Sequence, residues 1–184
     1  MADFRIEIVT PEDDRVLAAA YAGLIENLVH SEDGGELCWQ DVNAWEEKGV
    51  VCHIATDLCT GQIVAGAAVV PSGVRTDNEG EVFGVSVLRA ARGRGIGHRL
   101  MESIIADGNE RGLTRLTLDI RLYDEGMPPA PFNLYRCHGF ELAPGIKVTR
   151  IGWVEKYRHL WLHRPDPGGV FRSRVMFREM SHAR

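Results

Sequence analysis

The order of apolar and polar positions divides this 184-residue chain into strand-like and helix-like segments. "FRIEIV" alternates apolar with polar side chains, the period of a strand with one buried face. Thr10, Pro11 and the acids Glu12, Asp13 and Asp14 predict a helix start. A hydroxyl caps, a proline pre-sets φ, and carboxylates complement the helix dipole. Val16, Leu17, Ala20, Leu24, Ile25 and Leu28 then recur at helical spacing to about His30. "SEDGGE" reads as a loop, and "DVNAWEEKG" as a short helix capped by Asp41 and ended by Gly49.

"VVCHIATD" and "QIVAGAAVVP" flank the turn "LCTG", which predicts a hairpin. "SGVRTDNEG" is polar and loop-like, and "EVFGVSV" is a strand that runs into the glycine- and arginine-rich "LRAARGRGIG". From Ile96 the residues Leu100, Met101, Ile104 and Ile105 follow helical spacing, ending near Arg111 and Gly112. "RLTLDIRL" is a strand, "YDEGMPPAP" carries too much proline to be helical throughout, and "FNLYRCHG" is a short helix stopped by Gly139. The tail holds strand-like pieces ending in "SRVMF", around a middle that periodicity does not place. The order predicts an α/β or α+β fold with a mixed, mostly antiparallel central sheet flanked by helices. Antiparallel hairpins fall in the first half, and a parallel strand–helix–strand unit at about 81–121. With no repeat or linker, one domain is expected over 1–184, residues 147–184 forming a C-terminal extension or a sheet-completing segment.

Composition narrows the class of protein. The chain is 45% apolar and 26% charged, ordinary globular values. It holds no apolar run near the ~18 residues that cross a bilayer, so no membrane partner is expected. Its first residues lack the charged and apolar regions of a secretory signal. Cys38, Cys52, Cys59 and Cys137 form neither a C-x-x-C nor a cluster, so reduced thiols in a cytoplasm are expected. The net charge of −5 is unevenly spread: 15 acids against 4 bases over residues 1–80, and 3 acids against 9 bases over 147–184. The acidic first half lacks the broad basic footprint of a nucleic-acid binder. Such regions read as solvated faces that aid solubility, or the acidic half attracts a small cationic substrate.

The chemistry centres on "EVFGVSVLRAARGRGIGHRLMESII". Gly93, Gly95 and Gly97 alternate, ringed by Arg89, Arg92, Arg94 and Arg99. A strand delivers the chain to a turn that opens a helix, whose first amides lack internal partners and carry partial positive charge. That is an anion site. The glycines remove side chains that would hold phosphate oxygens away, and Arg92 and Arg94 are expected to add mobile charge at the rim. The P-loop pattern is absent. A dinucleotide G-x-G-x-x-G would begin at Gly93 but meets His98 where its third glycine belongs. Asp119, 22 residues after Gly97, imitates the ribose-binding acid of that motif, but the loop follows the fourth predicted strand rather than the first.

"RGRGIG" at Arg92–Gly97 resembles the R/Q-x-x-G-x-G/A signature of the GNAT superfamily of acyl-CoA-dependent N-acyltransferases. Downstream, "NLYRCHGF" resembles that family's LYxxxGF signature, with Tyr135, Gly139 and Phe140 in register. The likeness spans roughly residues 3–143 in architecture and 81–141 in motif. It implies the GNAT fold and acetyl-CoA as donor, with no metal. Arg92, Gly93, Arg94, Gly95, Ile96, Gly97 and His98 would hold the pyrophosphate, and Val85 and Val87 would pair with the pantetheine arm. A main-chain amide there would stabilise the oxyanion. Asn133 would reach toward the CoA arm, Tyr135 would be the acid, and Glu81 the base, directly or through water, with Glu79 and Asp119 as rivals. Pro128 stands where the family usually has an Asn seven residues before the tyrosine, and "GMPPAP" departs from the pattern. The implied function is transfer of an acetyl group to a primary amine of a small molecule by direct attack in a ternary complex. The alternative is a catalytically silent acyl-CoA-binding or partner-binding domain. A homodimer through the C-terminal sheet fits the resemblance. His53 lies on a predicted strand and reads as structural. His159 and His163, four apart, lack a third metal ligand. Trp39, Trp45, Trp153 and Trp161 read as core or as pocket lining.

Overall fold

The computed structural model describes residues 3–28, 42–71, 78–121, 131–145, 147–150 and 170–180. Among the described residues eight strands form one sheet: β1 (Phe4–Val9), β2 (Val51–Asp57), β3 (Ile63–Pro71), β4 (Glu79–Val87), β5 (Arg115–Arg121), β6 (Glu141–Leu142), β7 (Lys147–Arg150) and β8 (Val170–Glu179). The helices are α1 (Arg15–Leu28), α2 (Val42–Glu47), α3 (Ile96–Glu110) and α4 (Phe132–Cys137). Strand order is β1-β2-β3-β4-β5-β8-β6, with β7 also on β8. Every pairing is antiparallel except β4 with β5, which α3 connects as a parallel crossover.

The sheet separates two cores. Ala67, Val69, Val82, Leu116, Leu118 and Ile120 face Met101 and Ile104 of α3. Ile54, Cys52, Ala68 and Phe83 face Ala18, Tyr21, Ala22 and Ile25 of α1 and Trp45 of α2. Ile96, Leu100, Met101 and Ile104 are buried as their helical spacing predicts. Each such side chain contributes about 1.5–3 kcal/mol by leaving water, which anchors the start of α3 against the sheet.

The first helix begins later than its sequence suggests. Thr10 Oγ1 donates to Asp13 Oδ2 at 2.7 Å and accepts the Asp13 N–H at 3.1 Å, closing a separate turn. The cap of α1 is Asp14, whose Oδ1 accepts the Leu17 N–H at 2.9 Å. The reciprocal Thr10–Asp13 bonds offer the backbone an alternative to helix, so Pro11 sits in a turn ahead of α1. Gly49 ends α2 in the left-handed region (φ +64°), and the Val50 N–H returns to the Trp45 carbonyl at 2.9 Å. The predicted cap Asp41, the "SEDGGE" loop, residues 72–77 and the proline-rich 122–130 lie outside the described residues.

From the tail, β8 pairs with β5 over seven positions, Arg115↔Glu179 to Arg121↔Ser173. Arg115 joins three strands there, 3.0 Å from Glu79 on β4 and 2.6 Å from Glu179 on β8.

Candidate active site

β4 and β5 pair only over Glu79–Glu81 with Arg115–Thr117. Beyond that point β5 continues along β8, and among the described residues β4 continues along β3. The two parallel strands therefore part, leaving a cleft in the middle of the sheet. A bulge accompanies the divergence. Gly66 pairs with Ser86 and Ala68 with Phe83, so Gly84 and Val85 together oppose Ala67. Gly84 adopts φ +62°, which a residue with a Cβ reaches only with strain. Val85 and Val87 are half-buried along this flank. A strand released from its neighbour presents backbone groups to which an extended ligand can add.

Past Val87 the chain makes a 3-10 turn (Arg89–Ala91) and reaches α3 through Arg92–Gly95. Gly93 (φ +79°) and Gly95 (φ +77°) are left-handed, and a Cβ on either would meet nothing within 4 Å. The left-handed backbone alone calls for glycine there, since the space around each is open. Gly95 is the N-cap, without a side-chain cap bond, and its carbonyl accepts the Arg99 N–H at 3.2 Å. The amides of Ile96, Gly97 and His98 precede that first helical bond and project from the helix end. Gly97 also has a packing task. A Cβ on it would lie 3.3 Å from Leu134 Cδ2, so its bareness lets α4 approach α3.

Both arginines of the loop have partners within the protein. Arg94 Nη1 lies 2.9 Å from Asp57 Oδ2, with Asp3 at 3.9 Å, and Arg92 Nε donates to the Val87 carbonyl at 3.1 Å. The bond from Arg94 holds the Asp57 carboxyl below the usual range, helped by the N–H groups of Cys59 and Thr60. Asp57 was not singled out from the sequence, although its place in the turn "TDLCT" is a capping signal. His98 Nδ1 lies 3.1 Å from His138 Nε2, one ring donating and the other accepting, and this bond ties the start of α3 to the end of α4. Burial and the neighbouring His98 lower the His138 pKa.

Tyr135, on α4, is buried in the α3-side core against Phe140, with ring centroids 6.2 Å apart. Burial pushes its phenol up to about 12, so it keeps its proton through the neutral range. Asn133 is exposed on the same helix. Glu81 is exposed at the point where the strands part. Its register partner is Thr117, and Asp119, two residues on, shares that face and is also exposed. Glu79, the other rival, is buried and paired with Arg115, which leaves it poorly placed to exchange protons with a ligand. The base candidates thus gather at the mouth of the cleft, with the phenol of Tyr135 beneath α3. A glycine-opened helix start beside a released strand fits a diphosphate joined to an extended, amide-bearing arm.

The model of the acetyltransferase (GNAT) family matches residues 15–140. The chain belongs to the GNAT family. GNAT proteins are acyl-CoA-dependent N-acyltransferases, and the cleft and glycine loop of this one lie inside the matched residues. The solved ribosomal-protein-S18-alanine N-acetyltransferase from Escherichia coli is similar, with 22% identity, a TM-score of 0.64, and 98% of this chain and 96% of that chain covered. The ribosomal-protein-alanine N-acetyltransferase from Brucella melitensis is 23% identical, with a TM-score of 0.62 and coverage of 95% and 99%. The Salmonella typhimurium protein yncA, solved with its cofactor acetyl-CoA, is 15% identical, with a TM-score of 0.64 and coverage of 98% and 96%. These likenesses show a common GNAT fold. No curated protein sequence matches the chain.

His53 and Trp45 are both part of the core. His53 is buried on β2, its Nδ1 2.9 Å from Ser103 Oγ and its Nε2 3.7 Å from Asp107, which Arg111 holds at 2.7 Å. That chain links β2 to α3. Trp45 is buried between Tyr21 and Phe83, at 6.1 and 5.8 Å between ring centroids. Trp39, Trp153, Trp161, His159 and His163 lie outside the described residues. Among the described residues no group of three or more His, Cys, Asp or Glu is arranged to hold a metal.

Proposed function

We propose that the protein is an N-acetyltransferase that carries acetyl from acetyl-CoA to a primary amine of a small cationic molecule, by direct attack in a ternary complex. The observation that carries this reading is the parting of β4 from β5 immediately ahead of the Gly93–Gly95 helix start. It puts an anion cradle and a free strand flank in line, as a pyrophosphate joined to a pantetheine requires. The donor supplies an activated thioester. Backbone from Arg92 to His98 holds the phosphates, and Val85 and Val87 pair with the arm. A main-chain amide of that flank faces the charge that grows on the thioester oxygen.

Glu81 removes the proton that makes an ammonium inert, itself or through a water. Tyr135 presents its O–H to the departing sulfur. With its pKa pushed up to about 12 by burial, the phenol is a weaker acid than an ordinary thiol. It therefore stabilises the sulfur first as a hydrogen-bond donor, before any full transfer. The excess of acids over residues 1–80 draws a cationic acceptor.

The test is release of free CoA thiol on mixing the protein with acetyl-CoA and a panel of amines: small cationic amines, polyamines and peptides with free N-termini. Turnover with a small cationic amine is expected. Tight binding of CoA with no release for any amine would reduce the protein to an acyl-CoA-binding domain.

A further inference from the structure

The site described above accounts for the cleft and the glycine loop but not for a buried tyrosine on α1. Tyr21 is fully buried, and its Oη donates to the Gly84 carbonyl at 2.9 Å. Two strands are stripped of side chains around it. A Cβ on Gly66 of β3 would run into the Tyr21 ring, and a Cβ on Gly84 of β4 would lie 2.8 Å from Tyr21 Oη and 2.8 Å from Ile25 Cδ1. The ring occupies a slot made by both glycines, and its hydroxyl ends on the Gly84 carbonyl at the bulge of β4. Trp45, tilted against Tyr21 and edge-on to Phe83, closes the slot from α2.

A peptide group is planar and trans. The Gly84 carbonyl and the Val85 N–H belong to one plane and point in opposite directions. A hydrogen bond that fixes the carbonyl therefore fixes the amide. At a bulge this matters more than in regular ladder, because the extra residue leaves the plane without a full set of cross-strand bonds. Gly84, at φ +62° and without a side chain, has no intrinsic preference that would hold the plane.

We propose that Tyr21 is a positioning residue for acyl transfer: through the Gly84 carbonyl it sets the Gly84–Val85 peptide plane and so aims the Val85 amide at the thioester oxygen. This rests on the acyltransferase reading of the cleft. Tyr21 touches no reacting atom, and its effect reaches the reaction only through the backbone. Loss of aim is felt in turnover, whereas the phosphates, held some distance away at Arg92–His98, keep the coenzyme bound.

The test is Tyr21→Phe, which keeps the ring in its slot and removes only the donor. Expected are a fall in kcat of about ten- to hundredfold, with KM and Kd for acetyl-CoA within about twofold. The Val85 amide resonance in a ¹⁵N-labelled sample should also move, and its hydrogen exchange should be faster. Ile25→Val, which loosens the other neighbour of Gly84 but leaves the hydroxyl, should retain wild-type kcat at similar loss of melting temperature. Unchanged kcat in Tyr21→Phe, or an equal fall in Ile25→Val, overturns the proposal. If the wild type acetylates no amine, the functional reading fails first, and the Val85 resonance decides the positioning separately. In the wild type CoA should shift that resonance, and in Tyr21→Phe the shift should differ. Identical shifts overturn it.

Discussion

Replacing Gly95 with alanine separates the two reasons for a glycine at the start of α3. Its backbone is left-handed, φ +77° and ψ 6°, a conformation that costs an L-residue about 1–2 kcal/mol. A Cβ there meets nothing within 4 Å, so no packing clash adds to that cost. For a domain of this size each kcal/mol lowers the melting temperature by about 2–4 °C, which gives a fall of about 2–8 °C without ligand. The methyl group projects instead into the open face where a phosphate would meet the amides of Ile96, Gly97 and His98. Losing one hydrogen bond to a charged oxygen costs about 1.5–3 kcal/mol, or roughly 10- to 150-fold in CoA affinity. Gly95→Asn tells strain from blockage, because asparagine tolerates the left-handed region but still fills the space. It should recover most of the melting temperature and none of the affinity. Scanning calorimetry with and without CoA, together with titration calorimetry, gives both quantities. Weakened stability in Gly95→Ala with a CoA Kd within about twofold of wild type would refute the claim that these amides cradle the pyrophosphate.

Tyr135→Phe should lower kcat by about 10²–10⁴-fold while leaving CoA affinity unchanged, because the phenol is asked only to serve the leaving sulfur; steady-state kinetics alongside calorimetry would check it, and an unaltered kcat removes Tyr135 from the reaction. Glu81→Gln should depress kcat at least about a hundredfold, whereas Asp119→Asn should not; the opposite result moves the base to Asp119. Asp57, with its folded pKa depressed chiefly by Arg94, contributes stability that is present above its unfolded value near 4 and is lost as pH falls through the folded one. Melting temperature measured down to about pH 2.5 should therefore drop at the acid end in the wild type, and more gently in Asp57→Asn, which starts lower at neutral pH.

What was legible in the sequence is what neighbours along the chain decide. The strand "FRIEIV", the stripe Ile96–Leu100–Met101–Ile104 and the glycines at 93 and 95 report local geometry, and the structure keeps each of them, although Ile8 of the strand is exposed. The two signatures pointed to the GNAT family for the same reason, because a helix-start anion site and a short aromatic helix are each written in a few contiguous residues. Even local reading failed where two local solutions compete, as at Thr10–Asp13, where side chain-to-backbone bonds delay α1 by a turn.

Other features were decided only when distant segments met. Arg94 and Arg92 look alike in "ARGRG", but only the fold sets Asp57 beside one and the Val87 carbonyl beside the other. Glu79 and Glu81 are two residues apart on one strand, yet Arg115 neutralises the first and the parting of β4 from β5 leaves the second at the cleft. Gly97 reads in the sequence as a third loop glycine, and only the fold shows that its bareness also admits Leu134. The tail gives no sign that β8 will lie between β5 and β6. Periodicity and capping are set by covalent neighbours and survive in any context. Partners for a charge, a carbonyl or a bare Cα are set by strand register and helix docking, which depend on the whole chain closing around its two cores.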